Sequence, residues 1–330
     1  MRYYDLQITP QGATTPFRQW TSHPNGIFNP QAQNIEFDIP ITTYDAPVGE
    51  GTITIHGVSL QDLQQANSWG LHPTGSTWQA GMNVTLRAGM QKGLPLANPK
   101  QAGLILSGQV VQAFGNWEGT DMTLDLVVQA AAYSIEKPGN IVLTWRAGTE
   151  LSTALKNCLS VAFPDLPSQI NISSGLVLPY DVVHMAATLT DLATWLLQFT
   201  DHRLLDPVLI AFNAGTITVI DAQYVAPTRQ IVFTDLIGQP VWIEPGVMQS
   251  KFVRRADLQV GGTIQMPQGL QDLPGIVLTQ AASQPSQLRT HTTFPSQFYV
   301  RELRHIGNFR SPDGSQWATV ANCIIPPGAA

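Results

Sequence analysis

Apolar and polar residues alternate with a period of two through most of the first 130 positions. Tyr4, Leu6 and Ile8 share one face of a strand, as do Ile35, Phe37 and Ile39, and such alternation marks a strand with one face buried. Further strands are expected at 51–55, 82–89 and 104–111, and from Met122 through Leu124 and Leu126 to Val128. Pro24-Asn25-Gly26 and Asn29-Pro30 make a long loop between the first two strands, and residues 116–119 make a turn. One interruption is helical: Ser59 can cap a short helix with Asp62 near its positive end, and Leu60, Leu63 and Ala66 form its inward stripe. A single short helix among antiparallel strands predicts a small barrel or sandwich.

At Lys137-Pro138-Gly139 the alternation gives way to helical spacing. Thr149 is placed to cap a helix whose inward face is Leu151, Ala154, Leu155, Cys158, Leu159 and Ala162. A second helix starts at Thr188 with Asp191 three residues on, and turns Leu189, Leu192, Trp195, Leu196 and Phe199 inward. Strands at 208–212 and 216–220 then flank a three-residue loop, Asn213-Ala214-Gly215. Beyond 227, strand pattern returns: 231–233 runs into 236–240, where Gly238 and Pro240 let the strand bend, and Pro245-Gly246 turns the chain into 247–253. Residues 258–264 return as a strand, and 267–296 read as an extended excursion containing a short strand at 276–278. The chain finishes on a ribbon. Tyr299, Arg301, Leu303 and His305 fall on one face, with Val300, Glu302, Arg304 and Ile306 on the other; Pro312-Asp313-Gly314 turns the chain, and Trp317, Thr319 and Ala321 line the returning strand. Polar residues at successive positions leave one side of this ribbon for water or another subunit.

Composition narrows the function. The chain has 330 residues, a net charge of −6 and only 12% charged residues, which argues against a duplex-binding surface of lysines and arginines. With 27 glycines, 24 prolines and many neutral amides, its surfaces are polar without being ionic, and burying a neutral amide in a subunit contact costs far less than burying a charge. Cys158 and Cys323 are the only cysteines. They indicate neither a disulfide scaffold nor a metal site. The first residues alternate like a strand and lack the apolar centre of a signal peptide, and no apolar run approaches a membrane span; a protein made in a reducing cytoplasm is expected.

No catalytic, cofactor-binding or metal-ligating residue is assigned. Glu36 and Asp38 share a strand face, which reads as solvated; Cys158 reads as a buried apolar residue; His184, Asp191, Asp201 and His202 read as caps and loop polar groups. Arg254 and Arg255 could grip a phosphate or a partner's carboxylates, but adjacent strand residues point to opposite faces, which argues against a joint clamp. The competing class is a β-rich glycosidase or glycan-binding adhesin using Glu36, Asp38, Glu118 or Asp121 with Trp117.

Four segments in order, Gly-Val-Ser before a short helix (57–59), Val-Thr-Leu-Arg-Ala-Gly (84–89), Ile-Leu-Ser-Gly-Gln-Val (105–110) and Leu-Val-Val-Gln-Ala (126–130), resemble the N-terminal barrel of baseplate hub proteins from contractile-tailed bacteriophages. The segment Phe-Thr-Asp-Leu-Ile-Gly-Gln-Pro (233–240), the later Leu-Gln-Val-Gly-Gly-Thr-Ile (258–264) and the terminal Val300-x-x-x-Arg304-His305-x-Gly307 are similar to the same family, which is related to the hub part of type VI secretion spike proteins. At 252–255 the chain departs from the pattern, with Arg254 and Arg255 where small apolar residues are usual. The resemblance implies a β-rich fold with an α+β insert: two tail-tube-like β-barrels, 1–137 and 227–330, flanking a small helix-containing domain at 138–226. It implies a structural homotrimer, not an enzyme, that adapts a hexameric tail tube to a trimeric central spike and lets DNA through its lumen. Implied partners are the tail tube or tube-initiator protein, the spike protein on a separate chain, other baseplate proteins and the tape measure protein. The implied location is the virion baseplate, assembled in the host cytoplasm, with no sequence-specific nucleic-acid binding and no membrane insertion.

Overall fold

The computed structural model describes residues 1–41, 50–75, 77–90, 101–129, 141–164, 166–221, 223–224, 227–267, 276–277 and 297–325. Alternation in the first part produces β1 (Arg2–Thr9), β2 (Arg18–Thr21), β3 (Ile35–Ile41), β4 (Glu50–His56), the helix α1 (Leu60–Gln65), the hairpin strands β5 (His72–Thr74) and β6 (Thr77–Gln79), then β7 (Asn83–Met90), β8 (Gly103–Glu118) and β9 (Asp121–Gln129). The middle part holds β10 (Ile141–Trp145), α2 (Leu151–Ala162), β11 (Ser168–Asn171), β12 (Val182–Ala186), α3 (Leu189–Leu204), β13 (Leu209–Asn213) and β14 (Thr216–Ile220). The last part holds β15 (Thr228–Gln230), β16 (Val241–Glu244), β17 (Val247–Val253), β18 (Thr263–Gln265), β19 (Ile276–Val277), β20 (Gln297–Asn308) and β21 (Trp317–Ile324). The expected architecture is observed: a β-rich chain with two barrel-like units and a helix-containing insert. The expected change of spacing at 137–139 and most of the 267–296 excursion lie outside the described residues.

The first and last parts share one sheet. Its order is β19-β16-β17-β21-β20-β3-β4-β9-β8-β7-β1-β2, with β18 on β20 and β15 on β18. β20 is the common strand, antiparallel to β21 and β18 within the last part and to β3 of the first. Strands far apart in this order are drawn together by side chains: Tyr4 Oη donates to Gln33 O (2.7 Å), Arg2 Nη1 to Asn308 O (2.7 Å), and Trp317 Nε1 to Gly89 O (3.0 Å). The sheet therefore rolls around an interior filled by Tyr4, Leu6, Ile53, Leu86, Leu124 and their neighbours, and Trp317 of β21 belongs to that same cluster. A second core lies under α2 and α3 and includes Trp145, and a third contains Phe252, Phe298 and Leu303.

Several local expectations hold with their chemistry. Ser59 accepts from the Asp62 amide at 3.1 Å, and Thr188 forms a full reciprocal capping box with Asp191. Leu151, Ala154, Leu155, Cys158 and Leu159 are buried along α2. Others are corrected. Leu60, the first residue of a six-residue helix, is 47% exposed, while Leu63 and, just past the helix, Ala66 pack against the first core. The β13–β14 loop has two residues, Ala214 and Gly215, both at positive φ, since Asn213 already pairs with Thr216. Glu150, not Thr149, is the N-cap of α2. Residues 231–240 are not a strand, because Asp235 turns back to accept from the Val232 amide and forms a 3-10 turn. In the terminal ribbon, Val300 and Leu303 are both buried: Arg301 is an extra residue in the pairing with β21, and this bulge reverses the alternation midway along β20.

Gly307 is required where β20 passes the first core. A Cβ there would lie 2.2 Å from Phe37 Cζ, because the Phe37 ring occupies the space a side chain would take. We expect Gly307→Ala to cost about 1–3 kcal/mol, the usual penalty of overpacking a core, read as a lowered melting temperature. Gly314→Ala, which meets nothing within 4 Å, should leave melting unchanged.

Candidate assembly site

Where β17 ends, Arg254 and Arg255 both turn into the interior, with exposures of 0% and 3%. Arg255 reaches carboxylates on two segments: Nη1 donates to Asp235 Oδ2 (2.8 Å), while Nε and Nη2 donate to Asp257 Oδ1 (2.9 Å) and Oδ2 (2.8 Å). Asp235 also accepts from Gln101 Nε2 (3.0 Å), and Gln101 O accepts from the Ala256 amide (2.7 Å). The network thus bonds the last part of the chain to the segment leading into β8. Thr319 closes it from β21, accepting from the Arg255 amide and donating to the Arg255 carbonyl.

Arg254 has no carboxylate partner. Its guanidinium lies 4.7 Å from the Phe37 ring centre and 5.5 Å from that of Trp317, and Nη2 donates to Ile306 O. Nε and Nη1 have no hydrogen-bond acceptor among the described residues; attraction to the aromatic faces offsets part of that deficit. Burial pulls its pKa down to about 9, which leaves it a cation at neutral pH. Beside it, His305 is buried and held well below its usual pKa, first by burial and then by the Arg254 charge. Because the Thr319 hydroxyl already donates to Arg255, we assign the His305 proton to Nδ1, 3.0 Å from Thr319 Oγ1.

The opposite face of the shared sheet is a polar ladder crossing both barrel-like units. Gln249 of β17 donates to Asn322 of β21, which donates to Glu302 of β20 (3.0 and 2.7 Å). Arg304 of β20 pairs through two nitrogens with Asp38 of β3, and Asn308 donates to Glu36 (2.9 Å). His56 of β4 lies between Glu36 (3.2 Å) and Asp121 of β9 (3.5 Å). Neighbouring strands thereby satisfy one another's polar groups across the sheet.

Among the described residues, those considered for chemistry are each engaged by close neighbours. Glu36 and Asp121 share His56, Asp38 is tied to Arg304, and Glu118 sits opposite Asp121 at the end of the β8–β9 ribbon with Trp117, whose indole donates to Gly119 O. Asp191 is a cap, His202 Nδ1 donates to Gln198 O (2.8 Å) and lies 3.9 Å from Asp201 Oδ2, and His184 stacks on Trp195 at 4.0 Å. Both thiols are buried and pushed up by desolvation, Cys158 to about 11. The buried Asp235–Arg255–Asp257 set was missed by sequence reasoning, since its partners lie up to 20 positions apart.

The chain has the fold of tail proteins of bacteriophages and of type VI secretion components. Three solved structures match it over almost its whole length. A 43 kDa tail protein of prophage MuSo2 from Shewanella oneidensis aligns with a TM-score of 0.53 and 8% identity, covering 99% of this chain and 98% of that one. A tail protein from Neisseria meningitidis aligns at 0.51 and 9%, covering 98% and 96%. An E. coli type VI secretion component, described as similar to the T4 phage tail proteins gp27 and gp5, aligns at 0.50 and 8%, covering 98% and 77%. No protein-family model and no curated protein matches the sequence.

Two measurements check the seam. Arg255→Met strands the buried Asp235 carboxylate and the partly exposed Asp257 and should cost about 3–5 kcal/mol in denaturant unfolding; Lys251→Met, on the half-buried outer side of β17, should cost far less. Unfolded His305 takes up a proton below about pH 6.5 while the folded imidazole stays neutral. Stability is therefore full above that pH and falls beneath it, by up to about 1.4 kcal/mol per pH unit. Melts at pH 7.5 and 5.5 should show a smaller difference in His305→Gln than in the parent.

Proposed function

We propose that the chain is a structural baseplate hub protein of a phage tail tip, with units 1–137 and 227–330 as paired barrels and 138–226 as the insert. In this reading, three copies close into a ring of six barrel-like units. One side of the ring receives the tail tube or tube-initiator protein, and the other receives a trimeric spike; further contacts run to other baseplate proteins and the tape measure protein. The observation that carries the reading is β20, which fuses two barrel-like units edge to edge in one polypeptide, so that threefold symmetry presents six similar units to a hexameric neighbour.

The polar ladder supplies the inner wall. Glu36, Asp38, Glu50, Asp121, Asp125 and Glu302 stand on strands of this face against Lys251, Arg301 and Arg304. A wall with that excess of carboxylates repels phosphates and lets DNA slide past without being gripped. The role needs no catalytic residue, and assembly takes place in the host cytoplasm before the particle is released.

Light scattering of the purified protein, alone and mixed with the tube and spike proteins of the same particle, tests this. The expected mass is three times the 35.9 kDa protomer, with a threefold ring in negative stain. A protein that stays monomeric under all three conditions, or a ring of another order, refutes the reading.

A further inference from the structure

The insert carries a two-stranded ribbon in which, among the described residues, β10 pairs only with β12. One face packs into the second core through Ile141, Leu143 and Trp145. The other exposes Val142 opposite Met185 and Thr144 opposite Val183, with Val142, Val183 and Met185 at 43%, 64% and 62% exposure. Neither strand contains a charged residue or proline, so the free edge of β10 has none of the devices that keep open edges from pairing.

A groove of about 500 Å³ lies between β10 and α2. Val142, Thr144 and Arg146 form one wall, and Thr153, Asn157 and Val161 of α2 form the other. β10 runs into α2 through a short turn, so the groove has an apolar end at Val142 and Val161 and a cationic end at Arg146, close to the start of α2. Val142 to Arg146 spans about 13 Å of strand, room for four residues of extended chain. Glu150 and Asp181, near the cationic end, do not line the groove; they accept from Ser152 and from the Ala147 amide.

We propose that this groove receives an extended segment of a different protein, which adds antiparallel to β10 with acidic residues beside Arg146 and alternating apolar residues toward Val161. Unpaired main-chain groups of β10 supply affinity, and the two walls supply specificity. Antiparallel addition gives the stronger ladder, and it sets the segment's acidic start against Arg146 and the positive end of α2. A second copy of this chain is the poorer fit. Among the described residues, the other strands with an open edge, β2, β5, β6, β11, β12, β13, β15 and β19, contain no Asp or Glu. Occupancy of the groove does not depend on ring formation.

Fluorescence anisotropy with a labelled Asp-Asp-Val-Thr-Val-Thr peptide and its Lys-Lys-Val-Thr-Val-Thr counterpart tests the proposal on the full chain. Saturable binding of the acidic probe is expected, weakened at least tenfold by Val161→Trp, which fills the groove from a position 78% exposed, and by Arg146→Glu. Arg146→Glu should instead bind the Lys-Lys probe. Absence of saturable binding by the acidic probe, equal binding of both probes by the parent protein, or indifference to both substitutions overturns it. So does a loss of self-association caused by Val161→Trp in light scattering, which would make a second copy the occupant. Melting curves of both variants should match the parent's, since each position is exposed.

Discussion

The structure depends on two adjacent arginines at the seam between its barrel-like halves. Taking a guanidinium out of water is among the most expensive steps in folding, yet here two are buried side by side and solved differently. Arg255 is matched by two carboxylates, and Gln101 ties one of those to the other half. Arg254 is held between two aromatic rings, one from β3 and one from β21. Displacing either half would leave a charge stranded in a dry interior. The seam is therefore stiff in a way that an apolar contact, free to slide, would not be.

That stiffness suits the outer face. A ladder of amides and paired charges running from β17 to β9 keeps its register only if the two halves do not shift relative to each other along β20. The bulge at Arg301 serves the same end: it lets Phe298 and Val300 point into the third core while Leu303 and His305 still face inward farther along the strand. Without the extra residue, one of those two sets would be turned out to solvent.

Much of this was legible in the residues. Period-two alternation located β1, β3, β4, β7 and β9, and helical spacing located α2 and α3, because each buries one continuous apolar stripe. Alternation of Ile141, Leu143 and Trp145 also marks β10, a signal overlooked beside the helix that follows. The seam was not legible. Phe252-Val253-Arg254-Arg255 reads as the end of a strand with solvent-seeking ends, and only the fold brings Asp235, Gln101, Phe37 and Trp317 to those guanidinium groups. The bulge was hidden for a similar reason: register is a property of two strands, and one strand's alternation says nothing of an extra residue opposite a single partner. Residues 233–240 misled because a segment rich in β-formers was turned by Asp235, whose role is set by contacts made at the seam.

The presence of Trp317 in the first core has a consequence for how the protein comes into being on the ribosome. The opening strands emerge early, but the indole that completes their core and bonds to Gly89 is translated 228 residues later. Until then the first core lacks that indole, and β3 has β4 on one edge but not β20 on the other. A chain cut short before Trp317 would leave that first core without its indole.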